Sequence, residues 1–258
     1  MTPEAAPCLQ MLLAQTRSEL LMRWRVPAFS VTNLALPIVF FTFFGLPVAH
    51  LVRGDGVNVG AYLLASFGAY AVGNVMVYGF GIGVANERGM KVDRLMRASP
   101  LPPLVFMLAK VMTALVFALV ALVLLIGFGI VVGGIHETPA VWTTIIARLL
   151  AGSLPFIALG FAIGYWSGPH AAPALANLIY LPLSFASGLF VPLDQLPGFV
   201  RALAPFLPSY HYAQLAWSAL GAGRESLGVS LVWLAGYTAF FLTLAVRAYR
   251  REERAKFA

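Results

Sequence analysis

The sequence predicts an all-α integral membrane protein with six transmembrane helices. An N-terminal amphipathic interfacial helix precedes them, a short charged cytoplasmic helix joins spans 2 and 3, and a re-entrant helical segment lies between spans 5 and 6. Three observations lead there. Of 258 residues, 60% are hydrophobic and only 10% charged, against about 25% charged in an average soluble domain. Mean hydropathy is +0.84, and a soluble fold of this size cannot hide so much apolar surface behind a polar exterior. The charges are also gathered, in two tails and between apolar runs of about 20 residues, the length that crosses a bilayer. The whole chain, 1–258, reads as one transmembrane domain.

The first element, 1–27, carries Leu9, Leu12, Leu13, Thr16, Leu20 and Trp24 at spacings of three and four, one face of a helix. Gln10, Gln15, Arg17, Ser18 and Arg25 fall mainly elsewhere, and Arg23 intrudes at the edge of the apolar face. This pattern fits a helix lying in the cytoplasmic interface; a soluble helix packed on a partner domain is the competing reading. Pro27 then turns the chain into the membrane. No cleavable signal peptide is expected, and Cys8 reads as an ordinary thiol, since no apolar segment precedes it.

The six apolar stretches run over 29–51, 59–85, 104–132, 141–165, 173–191 and 227–248. Orientation follows from the basic residues. With both tails and the 86–103 connector on one side, that side holds all 17 Lys and Arg except Arg53, Arg148, Arg201 and Arg224. Such a bias places both termini and the connector in the cytoplasm. Between spans 5 and 6, residues 192–226 are too long for a tight turn and too apolar for a solvated loop. Pro192, Pro197, Pro205 and Pro208 forbid one continuous helix. Short helices dipping into the outer leaflet are expected, broken at Gly188 and Pro192, with Phe199, Leu203, Phe206 and Leu207 shielded by protein.

Several chemistries are excluded. No G-x-x-x-x-G-K-[ST] motif is present and none of the three lysines follows a glycine, so the chain does not cradle a nucleotide by itself. Gly79, Gly81 and Gly83 lie inside an apolar helix, where close packing explains them. His50, His136, His170 and His211 are scattered over connections and span ends and read as interfacial residues, not a metal site. No carboxylate falls at mid-span, which argues against an ion-coupled transporter. Arg148, inside the fourth span, is expected to snorkel outward in the direction of Glu137. Tyr70, Asn74 and Tyr78 are spaced by four on the second span, and Asn33 and Asn177 are the other amides within spans. These five either line a polar pathway for substrate or bond across helices.

The 86–103 connector carries Glu87, Arg88, Lys91, Asp93, Arg94 and Arg97 in a chain otherwise almost free of charge. On a helix, Val92, Leu95 and Met96 share one side and Lys91, Arg94 and Arg97 another. Pro100 stops this helix, and Pro102 and Pro103 open the next span. The arrangement fits a knob, with apolar side chains for a groove on a cytoplasmic protein and charges to set the register; a positive-inside anchor with no partner is the competing reading, which explains the arginines but less well the apolar residues among them. Glu87 sits where its charge opposes the negative end of the span-2 dipole. Arg88 or an arginine of the N-terminal helix is its expected partner.

The stretch "ERGMKVDRLMRASPLPPLVFMLAK" (87–110) resembles a pattern of the ABC-2 type transporter membrane subunits. There, an acidic–basic pair and a glycine precede a short charged helix with a leucine, a proline, and a lysine opening the third span. A second likeness, "SGLFVPLDQLPGFVRALAPFLPSYHYAQLAW" (187–217), is similar to that family's segment after the fifth span. One departure is Met90-Lys91, where many members have threonine after the glycine. The resemblance implies that the connector is a coupling helix. Glu87, Arg88, Lys91, Asp93, Arg94, Leu95, Met96 and Arg97 would then contact a separate cytoplasmic ABC ATPase. It further implies no cofactor on this chain, with ATP and Mg on the ATPase, and a second permease copy, identical or a close paralogue. The expected setting is a bacterial inner (plasma) membrane, with membrane lipid but no nucleic acid as a partner, and the expected activity is export of an amphiphilic drug, lipid or glycan. A non-transporting scaffold or assembly factor is the alternative from another class.

Overall fold

The computed structural model describes residues 8–25, 27–92 and 101–257. Among these the chain is helical without strands, apart from one isolated bridge between Val52 and Asn58. Helix α1, Cys8–Trp24, rests mainly on the third expected span. Its buried residue is charged Glu19, while Leu9, Leu13 and Trp24 stay exposed.

Helix α2, Pro27–Phe44, is shorter than the expected 29–51. The chain closes on itself at Gly45, where a Cβ would lie 2.3 Å from the Phe41 ring, and Pro47 helps turn Leu46–Val48 into a 3-10 segment. Asn58 then starts the next helix. Its Oδ1 accepts from the Ala61 amide at 2.9 Å and its Nδ2 donates to the Ala49 carbonyl at 2.9 Å, so one side chain caps the helix and ties it to the preceding turn.

Among the described residues, four helical stretches are long and apolar enough to cross a membrane. The first, α3, runs Val59–Gly89, is 94% buried over its apolar window and forms the centre of the bundle. A π segment, Val75–Ile82, interrupts its α geometry. Helix α4 is Pro103–Val131. The expected fourth span is two helices, α5 (Pro139–Ala151) and α6 (Leu154–Trp166), broken at Gly152 and Ser153. The break gives room to a neighbour: a Cβ on Gly152 would lie 2.4 Å from Leu215 Cδ1. Helix α7, Ala172–Ala186, is short and ends before Gly188, whose φ of +81° favours glycine.

Residues 192–226 form short helical pieces, chiefly α8 (Gly198–Leu203) and α9 (Pro208–Trp217), joined by 3-10 turns. Every residue of α9 is buried. Trp217 stacks on Tyr62 with centroids 4.9 Å apart and donates to Ser66 Oγ at 2.8 Å, fixing α9 on α3. Shielding does not extend to the first limb. Phe199, Leu203 and Phe206 are exposed and Leu207 is half-buried. Small Ala204 turns inward at this limb, so the larger side chains project outward. The last helix, α10, runs Leu227–Phe257, past the expected end at 248, and is only 22% buried over its apolar window.

Two contacts fasten the end of the bundle opposite the connector. Arg224 makes a two-pronged bond to Asp194 at 2.8 and 2.7 Å, and Arg53 lies 3.8 Å from the same carboxylate and 4.5 Å over the Tyr62 ring. The hydrogen bond from Arg224 holds the Asp194 carboxyl below its usual range. Arg148 does not reach toward Glu137. It donates to Ser218 Oγ at 2.9 Å and the Leu215 carbonyl at 3.3 Å, because the Gly152 break brings the end of α9 within its reach. Arg148→Met is expected to cost about 2 kcal/mol of stability through lost charge-assisted bonds. Faster proteolysis around residues 218–226, with the remaining helices protected, is the readout.

Candidate substrate cavity and buried charge cluster

On α3, Tyr70, Asn74, Tyr78, Ile82 and Asn86 recur every four residues, and Met90 continues the spacing just past the helix end. A four-residue step on an α-helix drifts by about 40°. The wider π segment, with its i→i+5 bonds, opposes that drift and keeps the row on one side. The row forms the back wall of a cavity of about 710 Å³. Met22 and Arg23 of α1, Asn33, Leu36 and Phe40 of α2, and Asn177 and Leu181 of α7 close the other sides.

All five polar and aromatic residues singled out from the sequence therefore meet on one cavity. They also bond across helices, so the two readings of them are not exclusive. Asn74 Nδ2 donates to Asn33 Oδ1 at 3.0 Å, joining α3 to α2. Tyr78 donates to Asn177 Oδ1 at 2.7 Å, joining α3 to α7. Tyr70 stacks on Tyr180 and meets the Phe40 and Phe190 rings at 5.7 and 4.9 Å. The wall grades from aromatic at Phe40 and Tyr70, through amides and a phenol, to Arg23, Asn86 and Glu87 at the end nearest the connector.

The glycines behave as packing residues. A Cβ on Gly160 would lie 2.6 Å from the Met76 carbonyl oxygen, and one on Gly164 2.8 Å from that of Gly81. Helix α6 thus rides directly on the π segment backbone. Gly83 makes room for a guanidinium, since a Cβ there would lie 2.9 Å from Arg23 Nη2. Arg23 Nη1 donates to the Gly79 carbonyl, inside the π segment, at 2.6 Å.

The end of the bundle nearest the connector holds a buried charge cluster that sequence reasoning missed. Lys110 on α4 is 1% exposed. Its Nζ donates to Glu19 Oε1 on α1 at 2.9 Å and to Glu87 Oε1 at the end of α3 at 2.5 Å. Arg23 Nε lies 3.8 Å from Glu19 Oε2. The expected partner of Glu87, Arg88 or an N-terminal arginine, is thus corrected to Lys110. Arg88 turns instead to the Gly164 and Ser167 carbonyls. The discoverable signal was a lysine and a glutamate inside otherwise apolar helical runs, which must be paired when buried.

Of the other connector residues, Lys91 is exposed with φ of +58°, just past Gly89, where a Cβ would lie 2.5 Å from Pro169. Asp93, Arg94, Leu95, Met96 and Arg97 lie outside the described residues. His211, expected at an interface, is buried instead. Nε2 is 2.8 Å from the Pro205 carbonyl, Nδ1 is 3.2 Å from Glu225, and the ring stacks on Trp233.

Apolar helices of membrane-spanning length around a mainly apolar cavity with a few polar groups suit a membrane permease. The sequence matches the ABC-2 type transporter family over residues 10–220, and the chain belongs to that family. It is 26% identical over 245 residues to the putative transport permease YvfS of Bacillus subtilis (strain 168), covering 95% of this chain and 99% of that protein. It is also 26% identical over 190 residues to the inner membrane transport permease YhhJ of Escherichia coli (strain K12). That match covers 66% of this chain and 46% of YhhJ. The protein is therefore the integral membrane permease subunit of an ABC-2 transporter, and ATP hydrolysis resides in a partner subunit.

Proposed function

We propose that the chain forms one half of an exporter that carries an amphiphile out of the cytoplasmic leaflet along the cavity. The observation that carries this reading is the convergence of Asn33, Tyr70, Asn74, Tyr78 and Asn177 on one cavity. Its charged mouth adjoins the root of the connector. Polar groups of that kind orient a ligand, while Leu36, Phe40 and Leu181 offer it apolar surface.

In this reading all six apolar segments cross or nearly cross the bilayer, α1 lies in the cytoplasmic interface with Leu9, Leu13 and Trp24 in lipid, and 192–226 dips from the outer side. Both termini are cytoplasmic, in the inner membrane of a bacterium. The coupling helix spans the connector, and ATPase contact falls chiefly to Lys91 and residues 93–97, since Glu87 and Arg88 have partners inside the permease. A second copy covers the α2 and α7 side of the cavity, where Val39, Phe43, Leu178 and Phe185 are exposed. ATP and Mg stay on the ATPase.

The test is substrate-stimulated ATP hydrolysis by the copurified complex in lipid. Asn74→Leu and Tyr78→Phe each remove one cross-helix bond and one polar group from the wall. Each is expected to weaken stimulation by candidate amphiphiles about tenfold, equivalent to about 1.4 kcal/mol, with basal hydrolysis intact. Unchanged stimulation in the double variant would assign these residues to packing alone.

A further inference from the structure

We infer that Lys110 is a positioning residue that links movement of the connector to the cytoplasmic mouth of the cavity. The inference rests on the transport reading above.

The geometry is specific. Lys110 is buried on α4 and holds two carboxylates from different elements, Glu19 of α1 and Glu87 at the root of the connector. Glu87 lines the mouth, and so does Arg23, which adjoins Glu19 and grips the Gly79 carbonyl in the π segment. Two carboxylates, one ammonium and one guanidinium leave the cluster without net charge. Two walls of the mouth, α1 and the end of α3, are therefore tied, directly or through one intermediate, to a single ammonium.

A lysine suits a part that moves. Its ammonium is a compact charge on a flexible stem with three donors, so it can release one carboxylate and keep the other. When the docked ATPase pulls the connector, Glu87 leaves and Lys110 stays with Glu19. The tie that runs from α1 through Lys110 to the end of α3 is then cut, leaving the Arg23 bond to the Gly79 carbonyl as the remaining link, while no buried ammonium is left alone. These two arrangements form the discrete element through which a distant site can bias the cavity. A cluster that only stabilised the fold would gain little, because a buried ion network is often replaceable by apolar side chains at no loss.

The experiment uses the intact complex with its ATPase in lipid, on a Cys8→Ser background. Ile82→Cys reports from inside the cavity. Labelling by a water-soluble maleimide is compared with ATP and with ADP. With Lys110 present, labelling is expected to differ about tenfold between nucleotides, within the usual range of coupling between sites. In the neutral variant Glu19→Gln, Glu87→Gln, Lys110→Met, the complex is expected to assemble and melt as before but to label equally with either nucleotide. The charge exchange Glu87→Lys with Lys110→Glu, combined with Glu19→Gln so that an amide and not a second carboxylate faces residue 110, keeps both contacts of that residue, and nucleotide dependence is expected to return; it also keeps the test alive should the neutral variant not fold. A neutral variant that labels like the parent overturns the inference, as does a charge exchange that folds, binds the ATPase and labels without regard to nucleotide. Labelling does not require any substrate, so lack of substrate stimulation in the parent complex would count against the export reading alone.

Discussion

Gly160→Leu is expected to abolish recovery of folded permease from membranes. The Cβ alone would lie 2.6 Å from the Met76 carbonyl oxygen and 3.4 Å from the Gly81 amide nitrogen. Both are backbone atoms of the π segment, so no rotamer change relieves the contact. The approach is reciprocal: a Cβ on Gly81 would lie 2.9 Å from the Gly160 carbonyl oxygen. Even Gly160→Ala must spread α6 from α3, and overpacking of this kind costs about 1–3 kcal/mol. Leucine adds a branched side chain to a gap that does not hold a methyl. Gly127 is the control, because a Cβ there meets nothing within 4 Å. Gly127→Ala is expected to be neutral or to stabilise α4 by up to about 1 kcal/mol through helix propensity. Thermal melts followed by size-exclusion chromatography distinguish the two sites. Equal melting of Gly160→Leu and the parent would mean that α6 does not ride on the π segment.

The second large effect concerns the connector. If it docks on the ATPase as proposed, Leu95→Asp, or reversal of Arg94 and Arg97 together, should strip the partner from a permease that still inserts. Loss of an interface anchor costs about 2 kcal/mol or more, over tenfold in affinity. Glu87→Gln should retain the ATPase, because that carboxylate faces Lys110 and not a cytoplasmic surface. Pull-down of the ATPase with each variant gives the answer. Retention of the ATPase and full transport by both connector variants would reduce the segment to a positive-inside anchor.

The limits of sequence reading follow from the same residues. Tyr70, Asn74 and Tyr78 were legible as a face because a spacing of four is a local property of one helix. The break at Gly188 was legible for a similar reason, since a glycine followed by Pro192 marks a chain reversal without reference to anything distant. The π segment was not legible. It exists where α6 presses carbonyl against glycine, and nothing within residues 75–82 announces that neighbour. The 29–51 and 141–165 stretches looked uninterrupted because hydropathy records what a residue is, not what packs on Gly45 or Gly152. Shielding of the outer segment was half right for the same cause: α9 is buried, but Phe199 and Phe206 face outward.

By itself, the sequence determined the solvent of this chain, the order of its apolar segments, the gathering of its charges between and beyond them and its dependence on another subunit for ATP. Each of these is a sum or a pattern over neighbouring residues. Only the tertiary structure decided which charges meet. Lys110 lies 91 residues from Glu19 and 23 from Glu87, and Arg148 lies 67 from Leu215. In a low-dielectric interior each buried charge must find a partner, but several would satisfy that demand equally in sequence. The close packing of helices, governed by where glycines let backbones touch, selects one.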